Sequence, residues 1–236
     1  LMQMVACPVG DATRPTSSAE CEHGQVMVET DVLWILDASS SSSDAQWSEL
    51  TSFISQTSGN FSLGPGAATR FAILVFSTDV HIIKGFSDPE STDNQLFQNF
   101  MDSLGRDAGA TDTGEALIRA KEIFDALGGN RRKVAVLLTD GNPNKNTGCA
   151  ENQFPLEPSE CANAAAGSLV QSHTQLVYLR IGQEPGRQLF SGIEHSLLQS
   201  DFGTLHQTRD QLVTTILCPV DTGPNIKCAK QGNNPQ

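Results

Sequence analysis

Four segments of the chain are almost continuously apolar, and each is six or seven residues long. That length and composition are typical of strands buried on both faces of a sheet. Between them lie stretches in which apolar residues recur at helical spacing. Parallel strands need such crossovers, so the alternation predicts a parallel sheet with helices on both faces. The four apolar runs are 31–36, 70–76, 133–138 and 175–181.

A short polar turn separates the second run from an alternating segment at 80–84, which predicts a hairpin and one antiparallel edge strand. The predicted fold class is therefore doubly wound (Rossmann-like) α/β, with a mostly parallel six-stranded sheet, one antiparallel edge strand and helices on both faces. The other predicted elements are helices at 45–57 with Asp44 as cap, 94–104, 113–127 and 161–173, a helix near 187–198, a strand near 203–207 and a helix near 209–217.

The charge of the chain narrows the classes of partner. Its 236 residues include 27 acidic and 15 basic side chains, for a formal net charge of −12. Such a balance repels phosphate backbones and anionic lipids, which disfavours nucleic acid and direct membrane binding. No apolar stretch approaches the ~20 residues that span a bilayer, so no membrane insertion is expected. The acidic balance suits cations or basic surfaces, and solubility alone explains it equally well.

The six cysteines lie near both ends of the chain and around one loop, and none falls in a predicted strand. Cysteines on loops and termini are typical of an oxidising compartment, so we expect a secreted, extracellular or cell-surface protein whose signal peptide has been removed. Asn60 begins an Asn-Phe-Ser acceptor sequence for N-glycosylation. The sequence leaves the pairing of the cysteines open. The disulfide candidates are Cys7, Cys21, Cys149, Cys161, Cys218 and Cys228.

Side chains with oxygen atoms follow the predicted parallel strands. In doubly wound folds the carboxyl ends of the strands meet at the edge of the sheet where ligands bind. Carboxylates and hydroxyls, without histidine or cysteine, suit hard divalent cations such as Mg²⁺, Mn²⁺ or Ca²⁺. The candidate ligands are Asp37, Ser39 and Ser41 after the first strand, Thr111 in the loop before the 113–127 helix, and Asp140 after the third buried strand.

Each of these side chains also has an ordinary structural explanation. Asp37 and Asp140 are suitable helix caps, because Asp is common at helix N-termini. The serine run at 39–43 is compatible with a flexible turn, and Thr111 and Thr113 with capping of the next helix. Those explanations require three separate coincidences at one edge of one sheet, so we favour cation binding.

Two acidic residues and one loop flank the candidate ligands. Asp112 and Glu115 are close enough in sequence to tune the charge of the site, although acidic residues are common in first helical turns without any function. The loop at 142–159 follows the last candidate ligand, and a Cys149–Cys161 pair would close it. Either the loop contributes to the specificity for a partner, or it is an insertion that a disulfide holds in place.

Three motifs of the chain together resemble the metal-ion-dependent adhesion site of von Willebrand factor A domains. They are DxSxS at 37–41, TxTG at 111–114 and TDG at 139–141, and they come in the family's order over a match of about 27–217. The resemblance implies that the Ser and Thr residues of the candidate set are hydroxyl ligands, and that its two Asp residues bind directly or through water. It also implies that a partner, usually through a carboxylate, supplies the last ligand.

The resemblance implies a non-enzymatic extracellular adhesion or interaction domain. Such a domain binds a protein or polysaccharide through a divalent cation, with Mg²⁺ expected first and Mn²⁺ or Ca²⁺ as alternatives. A second hypothesis is a structural module of an extracellular filament or matrix, in which the metal stabilises the fold. A third is a metal-dependent phosphoesterase, but Ser39 stands where a haloacid-dehalogenase-like phosphatase needs a second Asp.

We expect the domain to be one module of a larger protein or assembly. The predicted organisation is an N-terminal disulfide-bearing extension at 1–26, the A domain at 27–217 and a C-terminal linker with cysteines at 218–236. Cysteines flanking the domain in this way loosely resemble the A domains of thrombospondin-related and micronemal adhesins and of some matrix proteins.

Overall fold

Six strands in the described part of the chain form one sheet. The computed structural model describes residues 29–64, 67–149, 156–182 and 189–217. The strands are β1 (Thr30–Asp37), β2 (Thr69–Phe76), β3 (Val80–Lys84), β4 (Arg132–Thr139), β5 (Thr174–Ile181) and β6 (Ser196–Ser200). Their order is β3-β2-β1-β4-β5-β6, and every neighbouring pair is parallel except β2 and β3. The predicted doubly wound α/β fold is therefore confirmed.

Helices cover both faces of this sheet. They are α1 (Asp44–Ser58), α2 (Asn94–Ser103), α3 (Thr113–Leu127), α4 (Pro158–Gln171) and α5 (Leu205–Leu217), with short 3-10 turns at Pro89–Thr92, Thr147–Cys149 and Phe202–Thr204. Alternate residues of each strand pack on opposite helical layers: Trp34 contacts the α1, α2 and α5 side, and Ile35 the α3 and α4 side. Burial on both faces is why the central strands are continuously apolar. None of the described helices is long and apolar enough to cross a membrane.

The apolar runs predict the four central strands to within one residue at each end, and β3 and α3 lie where they were predicted. The start of α1 needs a correction, because its N-cap is Ser43 and not Asp44. The Ser43 hydroxyl accepts from Gln46 N at 3.3 Å, and Gln46 Oε1 accepts from Ser43 N at 2.7 Å. This reciprocal pair satisfies two otherwise free donors. Asp44 is the first helical residue, where its charge favours the positive end of the helix dipole.

The start of α4 is also corrected. The helix begins at Pro158 rather than at Cys161, because Pro suits the first helical turn and Glu157 and Glu160 form a capping box there. The sequence-based prediction started the helix at Cys161 because the alanine-rich stretch begins there, and it did not take this cap into account.

The elements predicted after β5 are wrong. The predicted helix near 187–198 is in its described part a turn followed by β6, and the predicted strand near 203–207 is a 3-10 turn that leads into α5. Phe190 and Gly192 have positive φ angles of 63° and 77°, which a right-handed helix does not allow. The apolar residues at 189–198 match helical spacing only by chance, because 189–193 packs as an irregular turn and β6 is a short edge strand.

One disulfide lies in the described part of the chain. Cys149 pairs with Cys161, with Cα atoms 5.9 Å apart, and so joins the loop after β4 to α4. The other four cysteine candidates lie outside the described residues.

The order of the strands determines where a ligand site can form. From β1 the chain continues to β2 on one side of the sheet, and from β4 it continues to β5 on the other side. The loops that leave β1 and β4 therefore diverge and open a crevice at the carboxyl ends of these two strands. Asp37 is the last residue of β1, and Asp140 directly follows β4.

Candidate metal centre

Asp37 is fixed by hydrogen bonds from the loop after β1 and from the end of β4. Its Oδ1 atom accepts from the Ser39 backbone N at 2.9 Å, and its Oδ2 atom accepts from the Thr139 hydroxyl at the end of β4. The parallel register of β1 and β4, which pairs Leu36 with Leu138, brings these two strand ends side by side. Only 3% of the Asp37 surface is exposed, so its carboxylate lies at the bottom of the crevice.

A chain of oxygen atoms runs from the buried part of the crevice to its surface. Ser39 Oγ lies 2.9 Å from Ser41 Oγ, and the Ser41 hydroxyl donates to Asp140 Oδ1 at 2.6 Å. Ser39 is buried, whereas Ser41 is exposed. The serine loop after β1 and the acidic residue after β4 therefore present their oxygen atoms to the same space, as the sequence predicted.

Thr111 enters this space from a third loop. A β-carbon built on Gly141 would lie 3.4 Å from Ser41 Oγ and 3.7 Å from Thr111 Oγ1, so the three loops come within van der Waals distance of one another at this point. Thr111 is buried, and its hydroxyl has no hydrogen-bond partner among the residues that the structure describes. All five predicted ligands thus lie around one crevice.

The loop that carries Thr111 is anchored to its neighbours. Ser40 N donates to the Gly109 carbonyl at 2.9 Å, and Ala110 N donates to Thr78 Oγ1 at 2.9 Å. A side chain at Gly109 would collide with the Thr78 hydroxyl, so this close approach requires glycine. The serine loop, the Thr111 loop and the β2–β3 turn are therefore held together by the backbone as well as by the candidate ligands.

The residues that flank Thr111 have structural roles. Asp112 is fully buried and is the N-cap of α3: Oδ1 accepts from Glu115 N at 3.2 Å, and Oδ2 from Thr147 N at 2.9 Å. Thr113 is not the cap, and its buried hydroxyl has no partner within the described residues. Burial raises the pKa of Glu115, whose nearest basic partner is Arg119 at 3.7 Å. A role of Asp112 and Glu115 in tuning a metal site stays a prediction.

Charge compensation differs sharply between the two acidic residues of β1. Asp31, at the start of the strand, is buried and paired with Arg70 at 2.7 Å and Arg131 at 2.6 Å. Asp37, at its end, is equally buried and has no salt bridge within the described part of the chain. Burial raises the pKa of Asp37 to about 6, against the opposing effect of its hydrogen bonds from Ser39 and Thr139. Buried carboxylates are normally paired or bound to a metal, so a cation suits this position.

An open cleft of about 510 Å³ is lined by three of the five candidate ligands, Ser41, Thr111 and Asp140. Gln46, Asn142, Asn144 and Phe202 are also among its lining residues. A second, polar depression of about 500 Å³ lies around Ser200 and Thr204 and contains none of the candidate ligands. The described residues contain no cluster of three or more His, Cys, Asp or Glu side chains that could hold a metal. A cation in the crevice would therefore depend on hydroxyl groups as well as on the two carboxylates.

The sequence analysis missed two residues that hold the candidate ligands in place. Thr139 donates to Asp37, and Asn144 accepts from the backbone N of Thr111 at 2.8 Å. Thr139 is part of the TDG motif and could have been assigned from its place at the end of β4. Asn144 carries no signal in the sequence, since Asn142 and Asn146 stand beside it in the same loop.

Comparison with known proteins identifies the family. The model of the von Willebrand factor type A domain matches residues 31–211. A relative from Danio rerio, von Willebrand factor A domain-containing protein 1, is 34% identical over 119 residues, which cover 48% of this chain and 23% of that protein. The chain thus spans less than a quarter of the relative's length.

Two similar solved structures contain metal ions. Proximal thread matrix protein 1 from the mussel byssus, solved with zinc in its MIDAS motif, has a TM-score of 0.66 at 19% identity, over 81% of this chain and 46% of that chain. Manganese-loaded TRAP protein of Plasmodium vivax has a TM-score of 0.60 at 17% identity, over 77% of this chain and 72% of that chain. These likenesses agree with the fold. With its family model matched over more than half of its length, the chain belongs to the von Willebrand factor type A domain family.

Proposed function

We propose that this domain binds a divalent cation in the crevice and uses it to hold an anionic group of an extracellular partner. In this proposal Ser39, Ser41 and Thr111 are hydroxyl ligands, and Asp37 and Asp140 bind the cation directly or through water. The observation that carries the proposal is the buried Asp37 carboxylate, which has no salt bridge within the described residues and lies among hydroxyl oxygens.

The chemistry of these donors fits a hard cation. Carboxylate and hydroxyl oxygens suit Mg²⁺, Mn²⁺ and Ca²⁺, and Mg²⁺ normally keeps several of its waters in protein sites. Metal-loaded sites in similar folds support a divalent cation without deciding which one. We propose Mg²⁺ first, because a site with three neutral hydroxyls leaves positions for exchangeable water.

The cleft over the site is where a partner would bind. Ser41 is exposed, so a cation near it would be reachable from solvent. A cation held largely by neutral hydroxyls attracts a further anionic oxygen, and a carboxylate of a protein or an acidic polysaccharide supplies one. The proposed activity is therefore binding and not catalysis, as one module of a larger protein in which the A domain spans about 27–217.

Titration of the chelator-stripped domain with Mg²⁺ tests this proposal. We expect one-to-one binding in the wild type, and Ser39→Ala to weaken it at least tenfold, because the variant removes one ligand oxygen and leaves the core intact. The matched control is Ser40→Ala: Ser40 is the exposed neighbour, and its side chain makes no hydrogen bond within the described part. Calorimetry gives the affinities, and thermal unfolding in EDTA checks that all three proteins fold equally well.

Two results would contradict the proposal in different ways. Equal Mg²⁺ affinity in Ser39→Ala and the wild type would show that the ion binds elsewhere. Mg²⁺ binding at the site combined with full partner binding in chelator would favour the structural-module hypothesis, in which the metal only stabilises the fold.

We also infer an extracellular or cell-surface location. The Cys149–Cys161 disulfide supports it, because disulfides persist mainly in oxidising compartments. The acceptor sequence at Asn60 is compatible with that location. Asn60 is exposed just after the end of α1, whereas the start of α1 adjoins the serine loop. Since α1 is 15 residues long, a glycan there would lie about 20 Å from the crevice.

Expression in secretory eukaryotic cells is expected to add one N-linked glycan at Asn60. The amide donates to the Thr57 carbonyl at 3.1 Å and would keep one N–H after glycosylation, so the local structure tolerates the modification. Asn60→Gln and Ser62→Ala should each remove the glycan, with Mg²⁺ affinity unchanged. Gel mobility before and after enzymatic deglycosylation measures this. Identical mobility of the wild type and both variants would refute the assignment.

A further inference from the structure

One residue, Asn144, holds the backbone of Thr111 on both sides. Asn144 Oδ1 accepts from Thr111 N at 2.8 Å, and Asn144 N donates to the Thr111 carbonyl at 3.0 Å. Lys145 N adds a weaker contact to the same carbonyl at 3.3 Å. Both backbone polar groups of Thr111 are therefore bonded to a single short segment of the loop after β4.

This contact matters because Thr111 lies in irregular structure. The residues between α2 and α3 that precede Thr113 belong to no helix or strand. The Thr111 hydroxyl makes no hydrogen bond to any described residue, so no hydrogen bond of its own side chain fixes its direction. By contrast, Asp37 ends a strand and is held by Ser39 and Thr139. The position of the Thr111 oxygen thus depends on its backbone.

The segment that carries Asn144 is itself anchored on three sides. Lys145 Nζ donates to the Thr78 carbonyl at 2.6 Å, and Thr147 N donates to the buried Asp112 carboxylate at 2.9 Å. The Cys149–Cys161 disulfide ties the same loop to α4. Asn144 is therefore held in place before any ligand binds. A residue that positions another residue must itself be fixed in this way.

We propose that Asn144 is a positioning residue of the cation site, which sets the place of the Thr111 hydroxyl by clamping the Thr111 backbone. The inference rests on the proposed function, in which Thr111 is a ligand. Removing a hydrogen-bond partner that orients a metal ligand typically lowers metal affinity about 10- to 100-fold. The geometry points to the same range for Asn144→Ala, with no loss of the fold.

Asn142 provides the control for this inference. It lies two residues away on the same loop, is exposed, and makes no hydrogen bond within the described residues. Any general effect of an amide or of a new charge in this loop should appear at both positions. An effect of the clamp should appear only at Asn144.

The experiment compares the wild type with Asn144→Ala, Asn144→Asp, Asn142→Ala and Asn142→Asp. Asp at 144 keeps an oxygen that accepts from Thr111 N, so it should restore Mg²⁺ affinity to within about threefold of the wild type. Asn144→Ala should lower the affinity about 10- to 100-fold, and both variants at 142 should change it less than threefold. In metal-free protein, hydrogen exchange of the Thr111 amide should be at least tenfold faster in Asn144→Ala alone.

The outcomes separate this inference from the proposed function. Wild-type binding of Mg²⁺ with equal affinity in Asn144→Ala overturns the positioning role and leaves the proposed function standing. Unchanged exchange of the Thr111 amide in Asn144→Ala overturns the clamp itself. Similar gains of affinity in Asn144→Asp and Asn142→Asp would show that charge, and not the contact to Thr111, accounts for the rescue. No Mg²⁺ binding in the wild type overturns both proposals.

Discussion

Asp37→Asn is expected to stabilise the metal-free domain at neutral pH by up to about 3 kcal/mol, and to remove its stabilisation by Mg²⁺. In the folded protein the pKa of Asp37 is raised from 3.8 to about 6 by burial, so an ionised Asp37 at neutral pH is unfavourable. A shift of that size corresponds to about 3 kcal/mol. Asn is neutral and of the same shape, and its Oδ1 atom still accepts from Ser39 N.

The expected pH dependence follows from the same shift. Between about pH 4 and pH 6 the folded metal-free protein keeps the proton of Asp37, whereas the unfolded chain has released it. The folded state then binds more protons, so the free energy of unfolding falls as pH rises through this window and levels off above it. Asp37→Asn should lack this fall, and the two proteins should be equally stable near pH 4.

Chemical unfolding in EDTA at pH 4 and pH 7.5, and again in saturating Mg²⁺ at pH 7.5, measures these differences. The matched control is Asp31→Asn, at the other end of β1, which should destabilise the domain because Asp31 pairs with Arg70 and Arg131. Lower stability of Asp37→Asn than of the wild type at pH 7.5 in EDTA would show that the ionised carboxylate already has a favourable partner in the metal-free protein.

This expectation describes a conflict between binding and stability. An acidic residue buried without a salt bridge in the described part weakens the metal-free fold, and the proposed cation relieves that cost when it binds. Ligands that bind only the folded state stabilise it, by about 2.7 kcal/mol at a concentration of 100 times Kd. Sites that sacrifice stability in this way are usually functional. Asp31, with its two arginine partners, shows how the same chain compensates a buried acid that is purely structural.

The sequence predicted that the candidate ligands would lie close together, because their positions follow from the sheet. Asp37 and Asp140 come directly after apolar runs, and the carboxyl ends of parallel strands necessarily converge. Thr111 was placed on weaker grounds, by its motif and its position before α3. Asn144 could not be predicted, since its contact with Thr111 depends on how two irregular loops meet in space. The pattern of apolar and polar residues along the chain does not indicate which irregular loops come into contact.

The strands of the sheet also differ in how well the sequence predicts them. Strands buried on both faces are continuously apolar, so β1, β2, β4 and β5 could be located from composition alone. The edge strand β6 buries little, with Leu198 inside and Leu197 51% exposed. Its burial alternates along the strand, but its sequence, Ser-Leu-Leu-Gln-Ser, has no matching alternation of apolar and polar residues. Together with the irregular turn at 189–193, that short segment was mistaken for part of a helix. The other strands could be recognised from the sequence because they are buried on both faces, and not because of their strand propensity.

Removing the Cys149–Cys161 disulfide is expected to lower the free energy of unfolding by about 3 kcal/mol. The bond closes a loop with a sequence separation of 12, and the chain-entropy model gives about this value for such a loop. For a domain of this size the melting temperature should fall by roughly 6–12 °C. The suitable variant is Cys149→Ala with Cys161→Ala, because a reductant would also act on the four cysteines outside the described residues.

The same variant should also weaken Mg²⁺ binding. Cys161 packs so closely on the first turn of α3 that a β-carbon on Gly114 would lie 2.5 Å from Cys161 Sγ. The bond therefore fixes the loop that carries Asn144 against the helix that begins two residues after Thr111. Without it, the loop is held within the described residues by hydrogen bonds alone, which include those to Asp112, Thr78 and Leu156, and the Mg²⁺ affinity should fall severalfold.

Calorimetric titration and thermal unfolding of the double Ala variant, each with and without reductant, measure both effects. If the Cys149–Cys161 disulfide is the one that supports the site, adding reductant to the double Ala variant should cause little further change in its Mg²⁺ affinity or its melting temperature. A lower melting temperature with unchanged Mg²⁺ affinity would mean that the disulfide stabilises the domain without helping to position Thr111. An unchanged melting temperature would contradict the expected loss of stability, because releasing the cross-link should increase the entropy of the unfolded chain.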